Sequence, residues 1–398
     1  MGRIPRMGQT MIPKKKVPLV LASTALLILR NRLSDRIWGC HGVYTLPVET
    51  PPTSLSSERK RGRYRQISRH RGAMSNFQEA RPDLTHSFAR PDIIKGIGIL
   101  GDSLSDEYRF YAPDRVMARN WGEILAATRG LHFGSPLATT HGAFRNRPFA
   151  YNWSQSGATT TSLIARGQHK ALAAQVASGA AISLAAVTIG TNDFADVLFT
   201  TRSVEAMGMV VEQASSNFAA ILNVLLGINP SFNLAVFTAV DLLAAPILRG
   251  GLEVGLISPS LANAYQRAIA DFNDRLHAYV ASHSHRIAVV DINQLLIEVV
   301  TARRYIVGNL ELDSINPGND ARHLFLSDGF HPGTIGQCLI ANRFLAAINT
   351  TFEAAIPVLD GQEIVQIASS VTKPPVSSLI GTGVLALFGY GRRRPRAA

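Results

Sequence analysis

Cysteine is almost absent from this 398-residue chain: only Cys40 and Cys338 occur, far apart and in segments of different character. That excludes a disulfide framework and a cysteine-based zinc site. No HExxH and no paired CxxC is present, so the usual metal-ligand spacings are missing. His283 and His285, in ASHSHR, fall at the expected end of a helix, where a cation is favoured by the helix dipole. GxSxG is also absent, which removes the nucleophile elbow of one large esterase fold. Charged residues make up only 17% of the chain and hydrophobic residues 46%, a composition that can bury a full core.

The basic excess is confined to the ends. The net charge is +12, yet residues 1–73 hold 15 Lys and Arg against 3 Asp and Glu, and the last eight residues add four arginines. Residues 74–390 therefore carry a net charge of −4. Such a body offers no basic face to a phosphate backbone, and no nucleic-acid partner is expected.

Both ends look like targeting segments. At residues 12–29 three lysines precede a 13-residue apolar run, the pattern of an export signal. Arg30, Arg32 and Arg36 follow at once with no small-residue cleavage site, so an uncleaved anchor or an over-extended reading frame fits as well. Residues 47–72 are rich in Pro and Ser and then in Arg, and are expected to be disordered. Met74 is an alternative start that would remove the export-like segment and leave a cytoplasmic protein. At the other end an apolar stretch runs to a cluster of arginines, a composition suited to a membrane flank. Residues 373–398 resemble the PEP-CTERM sorting tails of exported bacterial proteins, with Lys373-Pro374-Pro375 where that motif has Pro-Glu-Pro. The resemblance implies an exported or envelope-associated protein, with membrane association through this tail.

From about residue 92 short apolar runs alternate with longer amphipathic stretches, which is the α/β signal. Strands are expected at Ile94 to Leu100, Phe149 to Asn152, Ile182 to Ile189, Asn233 to Val240 and Arg286 to Val290. Helices are expected at Pro113 to Ala127, Ser162 to Ala177, Ser203 to Leu226, Ser258 to His283 and Thr334 to Phe352. Helical crossovers of this length imply one five-stranded parallel sheet covered on both faces, a three-layer α/β/α sandwich over residues 92–355. Residues 356–372 read as a linker.

Chemistry is sought where strands end, because open α/β sheets carry their sites at the strands' carboxyl edge. In GILGDSLSDE the apolar run breaks into polar residues at Ser103. A serine hydroxyl needs a base, a group that fixes the base's tautomer, and donors for the oxyanion. SDGFHPG places Asp328 three residues before His331 in a turn marked by Gly329 and Pro332, so a carboxylate and an imidazole can share one side. As an isolated match, Asp328 could instead cap the next helix. VTIGTNDF sets Asn192 directly after another apolar run, where its amide can reach a developing oxyanion or cap a helix. In NWSQSGAT, Gly157 has no Cβ to obstruct its backbone N–H. Asp241 and Asp291, ending other apolar runs, read as caps, and Asp102 and Asp106 as hydrogen-bonding partners within the serine loop.

The four blocks GDSLSD, NWSQSGAT, GTND and DGFHP, in this order, resemble the GDSL or SGNH hydrolase family of lipases and esterases. The resemblance implies a flavodoxin-like SGNH fold with Ser103 as nucleophile. It implies His331 as base and acid, Asp328 as its orienting partner, and an oxyanion hole from the Ser103 and Gly157 amides with Asn192. No cofactor or metal is implied, and the substrate is a small-molecule or lipid ester. GDSLSD followed by Trp121 and Leu125 looks most like the branch of secreted lipases and haemolysin-like phospholipases. Two rival classes are an inactive, envelope-anchored binding protein on the same fold and, more distantly, a nucleotide-binding oxidoreductase. The oxidoreductase is suggested by the literal GxGxxG from Gly96 to Gly101. Those glycines lie inside the apolar run instead of between a strand and a helix, so the context for dinucleotide binding fails. Residues 131–148 and 302–326 are inserts expected to border the site.

Overall fold

A computed structural model describes residues 94–110, 115–136 and 149–371. The readings of residues 12–29, 47–72 and 373–398, and much of the 131–148 insert, lie outside the described residues. Four strands, β1 Ile97–Gly101, β2 Leu184–Thr188, β3 Asn233–Phe237 and β4 Ile287–Val290, form one parallel sheet in the order β1-β2-β3-β4. Ile97 pairs with Leu184, Leu184 with Asn233 and Leu234 with Ile287. Nearly every strand residue is buried. That continuous apolar texture is what a sheet covered on both faces requires.

The helices in chain order are α1 Trp121–Arg129, α2 Thr160–Ala165, α3 Gln168–Ala177, α4 Thr191–Phe199 and α5 Val204–Leu226. After β3 come α6 Pro246–Glu253 and α7 Pro259–Ala281, then α8 Ile292–Thr301 after β4, and finally α9 Thr334–Phe352 and α10 Gly361–Val371. Helices α3, α5 and α7 cover one face, while α9, with α1 and α8 beside it, covers the other. The α/β/α sandwich expected from the sequence is therefore present. On the α9 face Trp121 meets Phe133, Phe237 and Phe344 at ring-centroid distances of 5.9, 5.4 and 4.9 Å. Aromatic packing at that range adds to simple area burial. Helix α5 is long and apolar enough to cross a membrane by composition. Its buried face, including Val211, Phe218 and Leu222, packs on α7 and β3, which is the place of a sheet-covering helix.

Several expectations are corrected. The sheet has four strands, because the fifth expected strand, Phe149 to Asn152, is reduced to a single parallel bridge between Ile99 and Asn152. Tyr151 O accepts from Ile99 N and Trp153 N donates to Ile99 O, but Ile97 N donates to His132 O. The outer edge of β1 is thus shared by two short segments, neither long enough for a ladder. The helix expected from Pro113 starts only at Trp121, where Asn120 and Glu123 form a reciprocal capping box. That expected over Ser162 to Ala177 is two helices, parted at Gly167 with φ +66. Helices α4, α6 and α8 add to the expected set. Residues 356–371 are no linker: α10 buries Ile364 and Ala368, and the Arg129 guanidinium grips both Glu363 oxygens at 2.7 Å. All described residues belong to one structural unit.

Candidate active site

Ser103 lies two residues past the end of β1. Gly101 lets β1 and β2 close there: a Cβ on it would sit 2.5 Å from Thr188 O. The chain then turns about Asp102, whose Oδ1 accepts from Leu104 N at 2.9 Å and whose carbonyl accepts from the Ser105 and Asp106 amides. This turn presents Ser103 into a cleft. Burial raises the Asp102 carboxyl to about 7; the Leu104 N–H opposes the shift, and the neighbouring charges of Asp193 and Asp106 add to it. Asp102 therefore crosses between neutral and charged near neutral pH.

The turn at residues 327–333 holds the base. Asp328 Oδ1 accepts from the Phe330 and His331 amides at 2.8 and 2.9 Å, and its Oδ2 lies 2.6 Å from His331 Nδ1. Gly329, at φ +68, makes this loop possible, and Leu326 N donates to His331 O across it. Burial alone would raise the Asp328 carboxyl. The imidazole beside it and the hydrogen bonds from His331 and Phe330 outweigh burial and hold it at about 2. Asp328 does not cap α9, whose N-terminus begins at Gly333 without a side-chain cap. His331 is packed edge-on by Phe330 and Tyr108, at centroid distances of 5.1 and 6.2 Å.

Asn192 enters from the first turn of α4, again without acting as the cap, which is Gly190 at φ +121. Its Nδ2 donates to Ala158 O at 3.0 Å, the residue after Gly157. Gly157 itself adopts φ +75, a conformation suited to glycine. The next residue of α4, Asp193, accepts from the Thr160 amide and hydroxyl at 2.9 and 2.6 Å. Burial lifts Asp193 to about 6 against those two bonds. A further tie comes from Asp106, whose Oδ2 accepts from Ser156 N at 2.7 Å. The serine loop, the Gly157 loop and the start of α4 are thereby cross-linked.

Ser103, Asn192 and His331 line the same cleft, together with Asp102, Leu104, Thr191 and a wall of aliphatic side chains. Asp328 and Gly157 do not line it: Asp328 is joined to it by its bond to His331, and Gly157 is next to Ala158, whose carbonyl accepts from Asn192. Asp241 and Asp291 are caps, accepting from Leu243 N and Gln294 N. From the 302–326 insert, Leu324 reaches the cleft, while residues 306–311 make a small hairpin.

Sequence reasoning missed the scaffold behind these groups. Gln337, on α9, accepts from Trp121 N at 3.0 Å and donates to the Tyr108 hydroxyl at 2.7 Å. Trp121 Nε1 donates to Ser105 Oγ at 2.9 Å, and Ser105 pairs with Thr188 on β2. The only signal was Trp121 following the serine block. Among the described residues no three His, Cys, Asp or Glu side chains converge to hold a metal.

The sequence matches the GDSL-like Lipase/Acylhydrolase family over residues 97–344, more than half of the chain. The chain belongs to the GDSL-like lipase/acylhydrolase family. It is an ester-bond hydrolase, as that membership entails. Similar solved structures include a lipase from a goat rumen metagenome, 14% identical with a TM-score of 0.38, over 63% of this chain and 96% of that one. Phospholipase A1 from Streptomyces albidoflavus NA297 is 17% identical with a TM-score of 0.37, over 65% and 99% of the two chains. A variant acetyl xylan esterase from Geobacillus stearothermophilus is 14% identical with a TM-score of 0.36, over 64% and 96%. No curated protein matches the sequence. At these similarities, acyl and alcohol specificity must be argued from the residues of the cleft.

Proposed function

We propose that this GDSL-family hydrolase cleaves carboxylic esters through an acyl-enzyme on Ser103. The observation that carries the reading is the shared cleft of Ser103, Asn192 and His331, with His331 tethered at Nδ1 by the Asp328 carboxylate. In the first half-reaction Ser103 Oγ bonds to the ester carbonyl carbon and its proton passes to His331 Nε2. The carbonyl oxygen becomes an oxyanion facing Asn192 Nδ2 and the Ser103 and Gly157 amides. The carbon–alkoxy bond then breaks and the alcohol departs with the proton from His331. Water repeats the sequence, releasing the acid and restoring the serine hydroxyl.

Asp328 serves by orientation and charge. Its Oδ2 fixes the proton of His331 on Nδ1, leaving Nε2 with a lone pair toward the serine, and its negative charge stabilises the imidazolium that forms. Two tethers from Asn192 and Asp193 to the Gly157 loop keep the oxyanion donors together before substrate arrives. Donors fixed in advance need no reorganisation when charge develops. The deciding experiment is labelling by a fluorophosphonate probe. Wild type is expected to label and Ser103→Ala to remain unlabelled and inactive on p-nitrophenyl acetate; equal labelling refutes the assignment. An exported, tail-sorted protein is part of the same proposal, and sequencing the mature N-terminus tests it: a start near Met74 overturns export through residues 12–29.

A further inference from the structure

Residues 155–158 form a tight turn, closed by Ala158 N donating to Gln155 O at 3.0 Å. Gly157, third in the turn, has φ +75, while Ser156 before it keeps a negative φ. Negative and then positive φ at the two central positions define a type II turn. Rotating the peptide between those residues by about half a turn gives a type I turn, with the ends unmoved and the N–H reversed. That N–H belongs to Gly157, so its direction decides whether the oxyanion hole is complete. Bonds on both sides pin this peptide. After it, Ala158 is held at its nitrogen by Gln155 O and at its carbonyl by Asn192 Nδ2. Before it, Ser156 N donates to Asp106 Oδ2 at 2.7 Å and Ser156 Oγ accepts from Arg115 Nη1 at 2.8 Å. Side-chain rotamers are staggered, so fixing N and Oγ together fixes the tetrahedron at Ser156 Cα, and with it the carbonyl carbon that bears Gly157 N. Asp106 alone fixes only the entry to the turn.

We propose that Arg115 is a positioning residue of the oxyanion hole: through Ser156 it holds the type II turn that aims the Gly157 N–H at the developing charge. The proposal rests on the reading of Ser103 as nucleophile and Gly157 as an oxyanion donor. Arg115 is buried, and its guanidinium carbon stands 5.6 Å from the centroid of the Tyr108 ring, the ring packed edge-on against His331. A guanidinium keeps its charge at any working pH, and a charge-assisted hydrogen bond is about twice as strong as a neutral one. Arg115 lies outside the four sequence blocks that carry the chemistry, and its partner Ser156 is 41 positions away. Its effect belongs to the transition state. The ground-state carbonyl carries little charge, so a misaimed donor costs turnover more than binding.

The test is steady-state kinetics on p-nitrophenyl butyrate with the full-length protein, together with inhibition by a trifluoromethyl ketone. Ser103 Oγ adds to the ketone carbon, its proton passes to His331, and the ketone oxygen becomes an alkoxide in the oxyanion hole. Arg115→Met should lower kcat about tenfold to a hundredfold, less than the loss of a whole donor, keep KM within about twofold, and weaken the inhibitor by the same factor as kcat. Arg115→Lys keeps a cation for the same hydroxyl and should recover part of the loss. Ser156→Ala removes the acceptor and should cost about as much as Arg115→Met, with the double variant no worse than either alone, because both break one bond. A folded Arg115→Met enzyme with kcat within about threefold of wild type overturns the proposal, as do additive losses in the double variant or a kcat loss with inhibitor binding unchanged. If Arg115→Met fails to fold, Ser156→Ala decides by the same kcat and inhibitor readings. Wild type without turnover and with Ser103 unlabelled overturns the esterase reading itself, which every other result leaves standing.

Discussion

Replacing Asp328 by Asn should be far more damaging than the loss of one charge suggests, and the reason lies in the turn. Asp328 Oδ1 accepts two backbone N–H groups, from Phe330 and His331. In the Asp328→Asn variant only the amide oxygen can accept, so those two donors fix the oxygen at the Oδ1 position. The NH2 group is then left where Oδ2 stood, 2.6 Å from His331 Nδ1 in the native protein. A donor in that place makes Nδ1 the acceptor and moves the ring proton to Nε2. His331 then points an N–H at Ser103 and cannot take its proton. The expected loss in kcat is about 10,000-fold, the scale known for a wrong tautomer in such a triad.

The same substitution carries a pH signature in stability. Asp328 is held at about 2 against an ordinary 3.8. A depressed folded-state value means stabilisation that is present above pH 4 and disappears as pH falls toward 2. The difference is worth roughly 2 kcal/mol at neutral pH. Urea unfolding of Asp328→Asn should therefore show that deficit at pH 7 and little of it at pH 2.5, with kcat measured on the same samples using p-nitrophenyl butyrate. A kcat within tenfold of wild type in a folded variant refutes the tautomer argument, and a deficit independent of pH refutes the electrostatic one.

Other substitutions separate the remaining roles. Asp102→Asn should raise stability at pH 8 by roughly 4 kcal/mol and leave it unchanged below pH 4, because a carboxyl raised to about 7 destabilises the fold progressively as pH climbs from 4 through 7; unfolding curves at the two pH values check this, and a loss at pH 8 contradicts it. Asn192→Ala should lower kcat about a hundredfold or more with little change in KM, read from steady-state kinetics; a pure KM effect excludes an oxyanion donor. Gly190→Ala forces a Cβ to 2.8 Å from the Phe272 ring at φ +121, so it should cost about 1–3 kcal/mol and reduce activity through Asn192 two residues on; unaltered thermal unfolding refutes it.

Sequence legibility followed how local each feature is. Ser103, Asn192 and the Asp328–His331 pair could be read because each sits where an apolar run stops or within one turn of its partner. The rival reading of Asn192 and Asp328 as caps was equally local, and only the structure separates them: Gly190 and Gly333 occupy the cap positions. The missing fifth strand was not legible, since what shortens it is the claim of His132 on Ile97 N, a partner from another loop. Nor was Gln337, whose two bonds reach Trp121 and Tyr108 more than two hundred positions away. The helix over residues 361–371 was legible and was missed: Asp360 caps it by accepting from Gln362 N and Glu363 N, and Ile364, Ile367, Ala368 and Val371 recur at helical spacing. The bond from Glu363 to Arg129 is the part only the fold supplies.

These distances also explain how the two halves of the site are held. The oxyanion side is tied by several independent bonds: Asp106 to Ser156, Asn192 to Ala158, Asp193 to Thr160, and Thr191 Oγ1 accepting from Val240 N. Losing any one leaves the others. The base side hangs on fewer supports, the Asp328 turn itself and the start of α9. Gln337, one turn into α9, clamps that start to Trp121 and to the Tyr108 whose ring packs against His331. Gln337→Leu fits the volume but strands the Tyr108 hydroxyl and the Trp121 amide in the core, at about 1–3 kcal/mol each. The clamp also reaches the serine loop, since Trp121 Nε1 donates to Ser105 Oγ, so turnover should fall with the placement of both His331 and Ser103. Gln337→Glu retains an acceptor for the Trp121 amide and for the Tyr108 hydroxyl, so kcat should partly return, with KM for a short ester near wild type in both variants. If Gln337→Leu loses stability but keeps its kcat, the clamp holds the helix alone and His331 is positioned entirely by its own turn.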